Sequence, residues 1–379
     1  MPPVPRMPPV PAVADQPQRI VLIRPSALGD VARTVPALVS LRRAFPGAKI
    51  DWLVRDTFSD VVAHHPDLNE VVTFPRDQFR RFGTSIAITT QVLRYMKMLK
   101  RRQYDAAYDL QGLSRSGLLT RATRAPRRVG LAAPEARELA WLAYNHRIKV
   151  PDAAVHAVDR MLAVLEGDGV PPVRDMRLYV GDPDRAWAER YMDQHQLTDE
   201  RFAVIAPTAR WLSKRWPIER FGAVADRLPR VGFDAAVVVA SKSERPQVTQ
   251  LSEGTHPGAA HLPGVRRLDL VGGTTVGQLM AIIERCGLLI ANDSAALHIA
   301  VGLGRRCVGI YGPTDPAIVG PYRYELGIVA APPEMRRNYR DAGDQSIIAA
   351  VTVEQVWTAI ERVLAAAPPV LMHGDGGHV

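Results

Sequence analysis

Residues 288–316 read LLIANDSAALHIAVGLGRRCVGIYGPTDP, and this stretch decides the fold. An apolar run, Leu288 to Ala291, ends in Asn292-Asp293-Ser294, a good helix N-cap. Helix-compatible residues then continue from Ala295 to Val301. After Gly302 and Gly304 a second apolar run, Cys307 to Tyr311, leads into Gly312-Pro313-Thr314-Asp315-Pro316. The unit is strand, helix, strand, loop, which calls for parallel pairing. In such a unit the strand ends and the helix N-terminus open on one crevice, where unpaired N–H groups and the helix dipole favour an anion. A phosphate seat near Ser294 to Ala296 is the sharp reading; an ordinary capped crossover helix is the plain one.

Working outward, the alternation repeats on both sides. Strands are predicted at Arg19–Ile23, Ile50–Val54, Glu70–Phe74 and Ala106–Leu110, with a helix over Ile86–Arg102. A linker rich in Gly, Pro and charge, between about Asp168 and Asp184, flanks a short predicted strand, Met176–Val180. A second set follows with strands at Phe202–Ala206 and Ala235–Ser241 and helices at Val276–Cys286 and Thr352–Ala366. The expected organisation is a Pro-rich disordered arm (1–18), a first domain (19–175), a second domain (176–351), a helix (352–366) and a disordered tail (367–379).

Two loops carry further candidates. After the first strand, Arg24-Pro25-Ser26-Ala27-Leu28-Gly29-Asp30 leads into a helix that Pro36 should kink. Gly29 permits a tight turn, and Asp30 at the helix start is either a plain cap or a carboxylate projecting into the crevice. After the strand Phe202–Ala206, the loop Pro207-Thr208-Ala209-Arg210-Trp211-Leu212-Ser213-Lys214-Arg215-Trp216-Pro217 offers Lys214 as a cation for an anionic ligand.

The order Asp293-Ser294, His298, then Tyr311-Gly312-Pro313-Thr314-Asp315-Pro316 resembles the donor-binding signature of glycosyltransferase family 9, the heptosyltransferases of lipopolysaccharide synthesis. The family usually has Gly after Asp-Ser; here Ala295 stands there, and its methyl is expected to crowd a diphosphate. Ser-Ala-Leu-Gly-Asp-Val with Thr34 and Pro36-Ala37-Leu38 resembles the family's amino-terminal motif, which implies Asp30 as catalytic base and Ser26 and Gly29 beside the acceptor. Lys214-Arg215-Trp216-Pro217 resembles the family's Lys-x-Trp-Pro. That implies Lys214 on the donor diphosphate as a catalytic cation, with Thr208 in the same loop, although Trp211-Leu212 lengthens it.

By the same resemblance Glu244 accepts from a ribose hydroxyl, its alternative being a helix-start carboxylate. His298 either touches the donor or satisfies Asp293. Asp109-Leu110-Gln111-Gly112-Leu113, Ala136-Arg137-Glu138 and His156-Ala157-Val158-Asp159-Arg160 resemble the branch that adds the first heptose. Gln111 and Arg137 would then hold an acidic acceptor, the alternative for Arg137 being a surface charge beside Glu138. The resemblance implies an α/β fold of GT-B architecture, two doubly wound domains facing a central cleft. The first (19–175) would then be acceptor-binding and the second (176–351) nucleotide-sugar-binding, and by analogy the helix 352–366 returns to the first domain. It also implies an inverting, metal-independent transfer of heptose from ADP-heptose to Kdo of the inner core. Another nucleotide sugar or acceptor is the near alternative, and a non-catalytic anion binder the distant one.

Composition bounds the rest. The chain has 379 residues, 47% hydrophobic and 23% charged, enough for two cores. No apolar run approaches the roughly 18 to 20 residues of a spanning helix, and the N-terminus has no apolar signal region. A cytoplasmic protein is expected. Cys286 and Cys307 give no disulfide framework, and His373 and His378 are too sparse for a metal site. A net charge of +9 calls for an acidic partner, but with aromatics at 6% nucleic acid is not expected. Arg94, Lys97 and Arg101, extended by Lys100 and Arg102, form one basic helical face, which is either an ordinary solvated face or one for an anionic membrane surface at the inner face of the inner membrane.

Overall fold

The computed structural model describes residues 16–150, 155–252, 265–338, 340 and 343–369. Most of the expected Pro-rich arm, and most of the expected tail with His373 and His378, lie outside the described residues. The strands are β1 Arg19–Ile23, β2 Lys49–Arg55, β3 Glu70–Phe74, β4 Ala106–Asp109, β5 Arg127–Leu131 and β6 His146–Ile148, then β7 Phe202–Ala206, β8 Ala235–Val238, β9 Arg266–Asp269, β10 Leu288–Asn292, β11 Cys307–Tyr311 and β12 Ile328–Ala330. The helices are α1 Leu28–Arg33, α2 Val35–Ala44, α3 Arg76–Arg80, α4 Ile86–Arg101, α5 Ser114–Thr123, α6 Ala157–Gly167 and α7 Asp182–Gln194, then α8 Ile218–Ala225, α9 Thr249–Ser252, α10 Val276–Arg285, α11 Ala295–Gly302, α12 Pro316–Val319 and α13 Val353–Ala365.

Among the described residues two compact units result: one of residues 16–27 and 34–175, the other of residues 28–33 and 176–369. The first holds a six-stranded sheet in the order β3-β2-β1-β4-β5-β6, the second one in the order β12-β11-β10-β7-β8-β9. Every described pairing is parallel, with Ile20 opposite Ala106 in the first sheet and Ile290 opposite Ile205 in the second. Counted from its own first strand, each sheet runs 3-2-1-4-5-6, the doubly wound order. The central strands RIVLI, FAVIA and LLIAN are nearly continuous apolar runs because helices cover both of their faces. In each unit the strand order reverses beside the first strand, between β1 and β4 and between β7 and β10. Such a reversal opens a crevice at the carboxyl ends of those strands.

Local chemistry sets the helix ends. Thr275 with Gln278 and Thr352 with Gln355 form capping boxes at α10 and α13. The helix expected to kink at Pro36 instead divides at Thr34, leaving α1 and α2 as separate helices with Pro36 in the first turn of α2. A proline there lacks only an N–H that a first turn does not need.

Two expectations are corrected. Residues 176–180 join no sheet: Met176, Leu178 and Val180 bury one face, and Leu178 N donates at 2.8 Å to Gly302 O at the end of α11. Helix α13, expected to return to the first domain, packs on β11, β12 and α8 of the second unit. Among the described residues no helix is long and apolar enough to cross a membrane. Cys286 and Cys307 are free and fully buried, and burial pushes the Cys286 thiol up to about 12.

Candidate active site

The second unit gathers Asp30, Lys214, Asp293, Ser294, Ala295 and His298. Asp293 follows β10 directly, at the strand-order reversal. Its Oδ2 accepts from Lys214 Nζ at 2.6 Å and from Thr314 Oγ1 at 2.8 Å. These two side chains come from the loops after β7 and β11, so one carboxylate ties three strand ends together. The longer loop therefore does not carry Lys214 away: Leu212–Lys214 forms a 3-10 turn that delivers the ammonium to Asp293. Behind them Asn292 is fully buried, accepting from Trp216 N at 3.1 Å and donating to Pro207 O. Asn292 thus braces both ends of the lysine loop, with Thr208, also buried, at its start.

Ser294 is the N-cap of α11 by backbone angles, φ −143° and ψ 169°, yet its hydroxyl caps nothing. Its Oγ is buried and makes no hydrogen bond within the protein. A buried hydroxyl without a partner costs free energy, as do the partnerless N–H groups of a helix's first turn. Together they suit an anionic oxygen such as a phosphate's.

α1 lies against this helix end. A Cβ on Gly29 would stand 2.9 Å from His298 Cδ2 and 3.3 Å from Ala295 Cα. Gly29 is helical, so it serves a close approach and not the tight turn expected of it. The Ala295 methyl faces Gly29, 3.6 Å from that same position, so part of its bulk goes into helix packing. His298, itself buried, presents its ring edge to α1. Asp30 sits in the first turn of α1 and pairs with Arg33, whose Nη1 donates at 3.2 Å to Val319 O. Arg33 was not singled out from the sequence, although its i,i+3 spacing from Asp30 was a signal for the pair.

Glu244 caps the start of its own turn. Its Oε2 accepts from Ser241 Oγ at 2.6 Å and Ser241 N at 3.0 Å, closing a capping box on its own turn.

In the first unit the strand-order reversal brings together Ser26 and Gln111. Gln111 Oε1 accepts from Ser26 N at 3.2 Å, and its Nε2 donates to Ser26 Oγ at 3.3 Å. The Gln111–Gly112 turn is shaped by Asp109, fully buried, which accepts from Gln111 N at 2.9 Å, Gly112 N at 3.2 Å, Tyr144 OH at 2.8 Å and Thr120 Oγ1 at 3.2 Å. Burial raises its carboxyl above the usual range against the pull of those donors. Arg137 is exposed, with its backbone N–H held by Gly112 O at 2.9 Å. A cavity of about 260 Å³ opens here, lined among others by Ser26, Gln111, Arg55, Arg76, Arg115 and Glu138. Its three arginines were missed in the sequence, because scattered positions converge only through the sheet.

The sequence model of glycosyltransferase family 9 (heptosyltransferase) matches residues 92–345. The chain belongs to this family. Family 9 proteins are glycosyltransferases, and this one is an enzyme of that kind. Lipopolysaccharide heptosyltransferase 1 of Pseudomonas aeruginosa is 29% identical over 308 residues, 80% of this chain and 81% of the relative. The protein of that name from Escherichia coli K12 is 25% identical over 333 residues, 87% of this chain and 98% of the relative. Among solved structures, a family 9 glycosyltransferase from Veillonella parvula superposes with a TM-score of 0.73 at 24% identity, covering 92% of this chain and 97% of its own. E. coli heptosyltransferase WaaC with ADP gives a TM-score of 0.71 at 24% identity, covering 91% and 99%. These likenesses give the two units the GT-B fold.

Proposed function

We propose that this chain is an inverting heptosyltransferase that moves heptose from ADP-heptose onto Kdo of the lipopolysaccharide inner core. The observation that carries the reading is the approach of α1 to α11, with Gly29 against Ala295 and His298, so that Asp30 and the unpartnered Ser294 hydroxyl belong to one packed pair of helices. Relatives named lipopolysaccharide heptosyltransferase 1 support the sugar and the pathway.

In the proposed step Asp30 takes the proton of an acceptor hydroxyl as that oxygen bonds to the anomeric carbon. The bond from that carbon to the donor phosphate breaks, and its electron pair leaves with ADP. One displacement inverts the centre. The charge arriving on the leaving phosphate is met by the first turn of α11, the Ser294 hydroxyl and the Lys214 ammonium, which shares Asp293. Arg33 holds the Asp30 carboxylate, and Thr208 lines the start of the donor loop. No metal ion is needed where these groups carry the charge.

On the acceptor side, Ser26, Gln111 and Arg137, with the arginines of the 260 Å³ cavity, suit the carboxylates and phosphates of an acidic glycolipid. Such an acceptor sits in a membrane. The exposed basic residues Arg94, Lys97, Lys100 and Arg101 of α4 would draw the enzyme to the anionic inner face of the inner membrane from the cytoplasm.

A second reading, a family 9 transferase with another nucleotide, draws on Glu244, whose capping box engages one oxygen, Oε2, of the carboxylate assigned to a ribose. The test incubates the purified chain with ADP-heptose, and in parallel with UDP- and GDP-sugars, plus a Kdo-lipid acceptor and EDTA. Mass spectrometry and anomeric NMR read the product. Transfer from ADP-heptose alone, inverted and insensitive to EDTA, is expected. Transfer from another nucleotide sugar, retention, or loss in EDTA would overturn the corresponding part.

A further inference from the structure

We infer that Leu118, Leu139 and Leu142 form an apolar anchor by which the first unit docks on an anionic lipid bilayer. This rests on the proposed membrane-borne acceptor and adds the surface that meets the lipid. The three side chains are 55%, 65% and 54% exposed. Leucines exposed singly need no explanation, but these stand on two elements packed together. Leu118 is on α5, and Leu139 and Leu142 belong to the 3-10 turn Ala140–Ala143 and its N-cap. The packing is close: a Cβ on Gly117 would stand 3.2 Å from Ala140 O and 3.3 Å from Ala143 Cβ.

Leu139 is held outward by a specific device. Glu138 and Leu139 are consecutive residues at φ 54° and 61°, a left-handed backbone that bulky side chains rarely adopt. Glu138 fixes that turn to α5, its Oε2 accepting from Ser114 Oγ at 2.6 Å and Ser114 N at 3.2 Å. Structure is thus spent on presenting a leucine to solvent.

Charge around the leucines says what covers them. Arg115 and Arg121 are exposed on α5 on either side of Leu118, and the exposed Arg147 lays its guanidinium over the Trp141 ring at 4.9 Å. Glu138 is the acidic group among them, and it is engaged with Ser114. Apolar side chains ringed by guanidinium groups match a bilayer whose phosphates lie above its acyl chains. α4, with its basic residues and the exposed Leu93, packs directly on α5 and widens the same charge. The patch also adjoins the cavity, since Ser114, Arg115 and Glu138 line both. A glycolipid head in that cavity would have its bilayer next to these leucines.

The test floats the full chain with vesicles of phosphatidylethanolamine containing about a quarter phosphatidylglycerol, in low salt and in about 1 M salt, where charge attraction reaches only about 3 Å. Wild type should float in both, less in high salt. The triple variant Leu118→Gln, Leu139→Asn, Leu142→Gln should lose at least about tenfold in partitioning, as three apolar side chains no longer leave water. Its melting temperature and ADP affinity should be unchanged. Flotation of the variant like wild type, or no flotation of wild type, overturns the inference. So does a variant that floats normally but turns a dimer into a monomer in sedimentation, since the patch is then a protein interface. Transfer to a water-soluble Kdo glycoside separates the two readings. If neither protein transfers, the proposed reaction has failed while flotation still decides the docking; if both transfer equally, the reaction stands whatever the vesicles show.

Discussion

Replacing Lys214 by methionine removes the charge and keeps most of the bulk, and the structure allows its cost to be worked out in two parts. Lys214 Nζ lies 2.6 Å from Asp293 Oδ2, with side chains 14% and 9% exposed. Breaking a buried ion pair from one side costs about 3 to 5 kcal/mol, because a carboxylate is left without its cation. Thr314 still donates to the same oxygen and some solvent reaches the pair, so the low end, about 3 kcal/mol, is expected. Adding Asp293→Asn removes the stranded charge, so the double variant should be more stable than Lys214→Met alone. A double-mutant cycle by urea denaturation reads that coupling. ADP binding should behave differently. A charge-assisted hydrogen bond to phosphate is worth about 1.5 to 3 kcal/mol, or about 10- to 150-fold in Kd, and Asp293→Asn cannot return it. Titration calorimetry should find both variants weak. If Lys214→Met matches wild type in stability and in ADP affinity, the ammonium serves neither Asp293 nor a diphosphate. If the double variant regains ADP binding, the lysine only balances Asp293.

Asp30→Asn should lower turnover by about 10² to 10⁴ with ADP affinity kept, since the amide retains shape and loses the base; a turnover near wild type removes Asp30 from the chemistry. Gly29→Ala brings a methyl to 2.9 Å from His298 Cδ2 and should cost about 1 to 3 kcal/mol, read as a lower melting temperature together with lower turnover. Tyr144→Phe takes a donor from buried Asp109 and should cost about 1 to 3 kcal/mol. Burial raises Asp109 in the folded state, so its ionisation opposes folding as pH rises above the unfolded value; losing Tyr144 raises it further. The Tyr144→Phe deficit measured by denaturation should therefore be larger near neutrality than near about pH 4. Arg94, Lys97 and Arg101 changed to Glu should weaken low-salt vesicle binding to the level left in about 1 M salt by reversing the α4 charge, while ADP binding in calorimetry is untouched.

The strands legible in the sequence were those whose environment is uniform. β1, β7 and β11 lie where their apolar runs put them, because a central or well-covered parallel strand buries both faces. β3 also lies where expected, although it is an edge strand that leaves Glu70 and Thr73 exposed; its signal is their alternation with buried Val72 and Phe74. The missed strands are short or charged: β6 and β12 have three residues each and close sheet edges, and β9 reads Arg-Arg-Leu-Asp at the other edge of the second sheet. β5 opens with two arginines whose heads leave the sheet, Arg127 to Asp168 and Arg128 to Ala143 O. Residues 176–180 erred the other way. Alternation reports that one face is buried, and it is, but burial of a face does not supply a strand to pair with.

The site divides along a similar line. Asp293, Ser294 and Lys214 stood out because each follows a strand in a loop where anion chemistry has a local signature. What they bond to was not legible, because the partners meet only through the fold: Thr314, part of the signature after β11, donates to Asp293, and Asn292, part of the expected helix cap, is the buried end of β10 that braces the lysine loop. The departure at Ala295 shows why both levels matter. Read along the chain, its methyl obstructs a diphosphate. In the structure that methyl faces Gly29, and Gly29 has no side chain where one would collide with His298. A larger residue at 295 would press on α1 and so displace Asp30, far away in sequence but next to Gly29 at the contact. The pair Gly29 and Ala295 thus sets how near the proposed base comes to the phosphate seat, and neither residue shows that by itself.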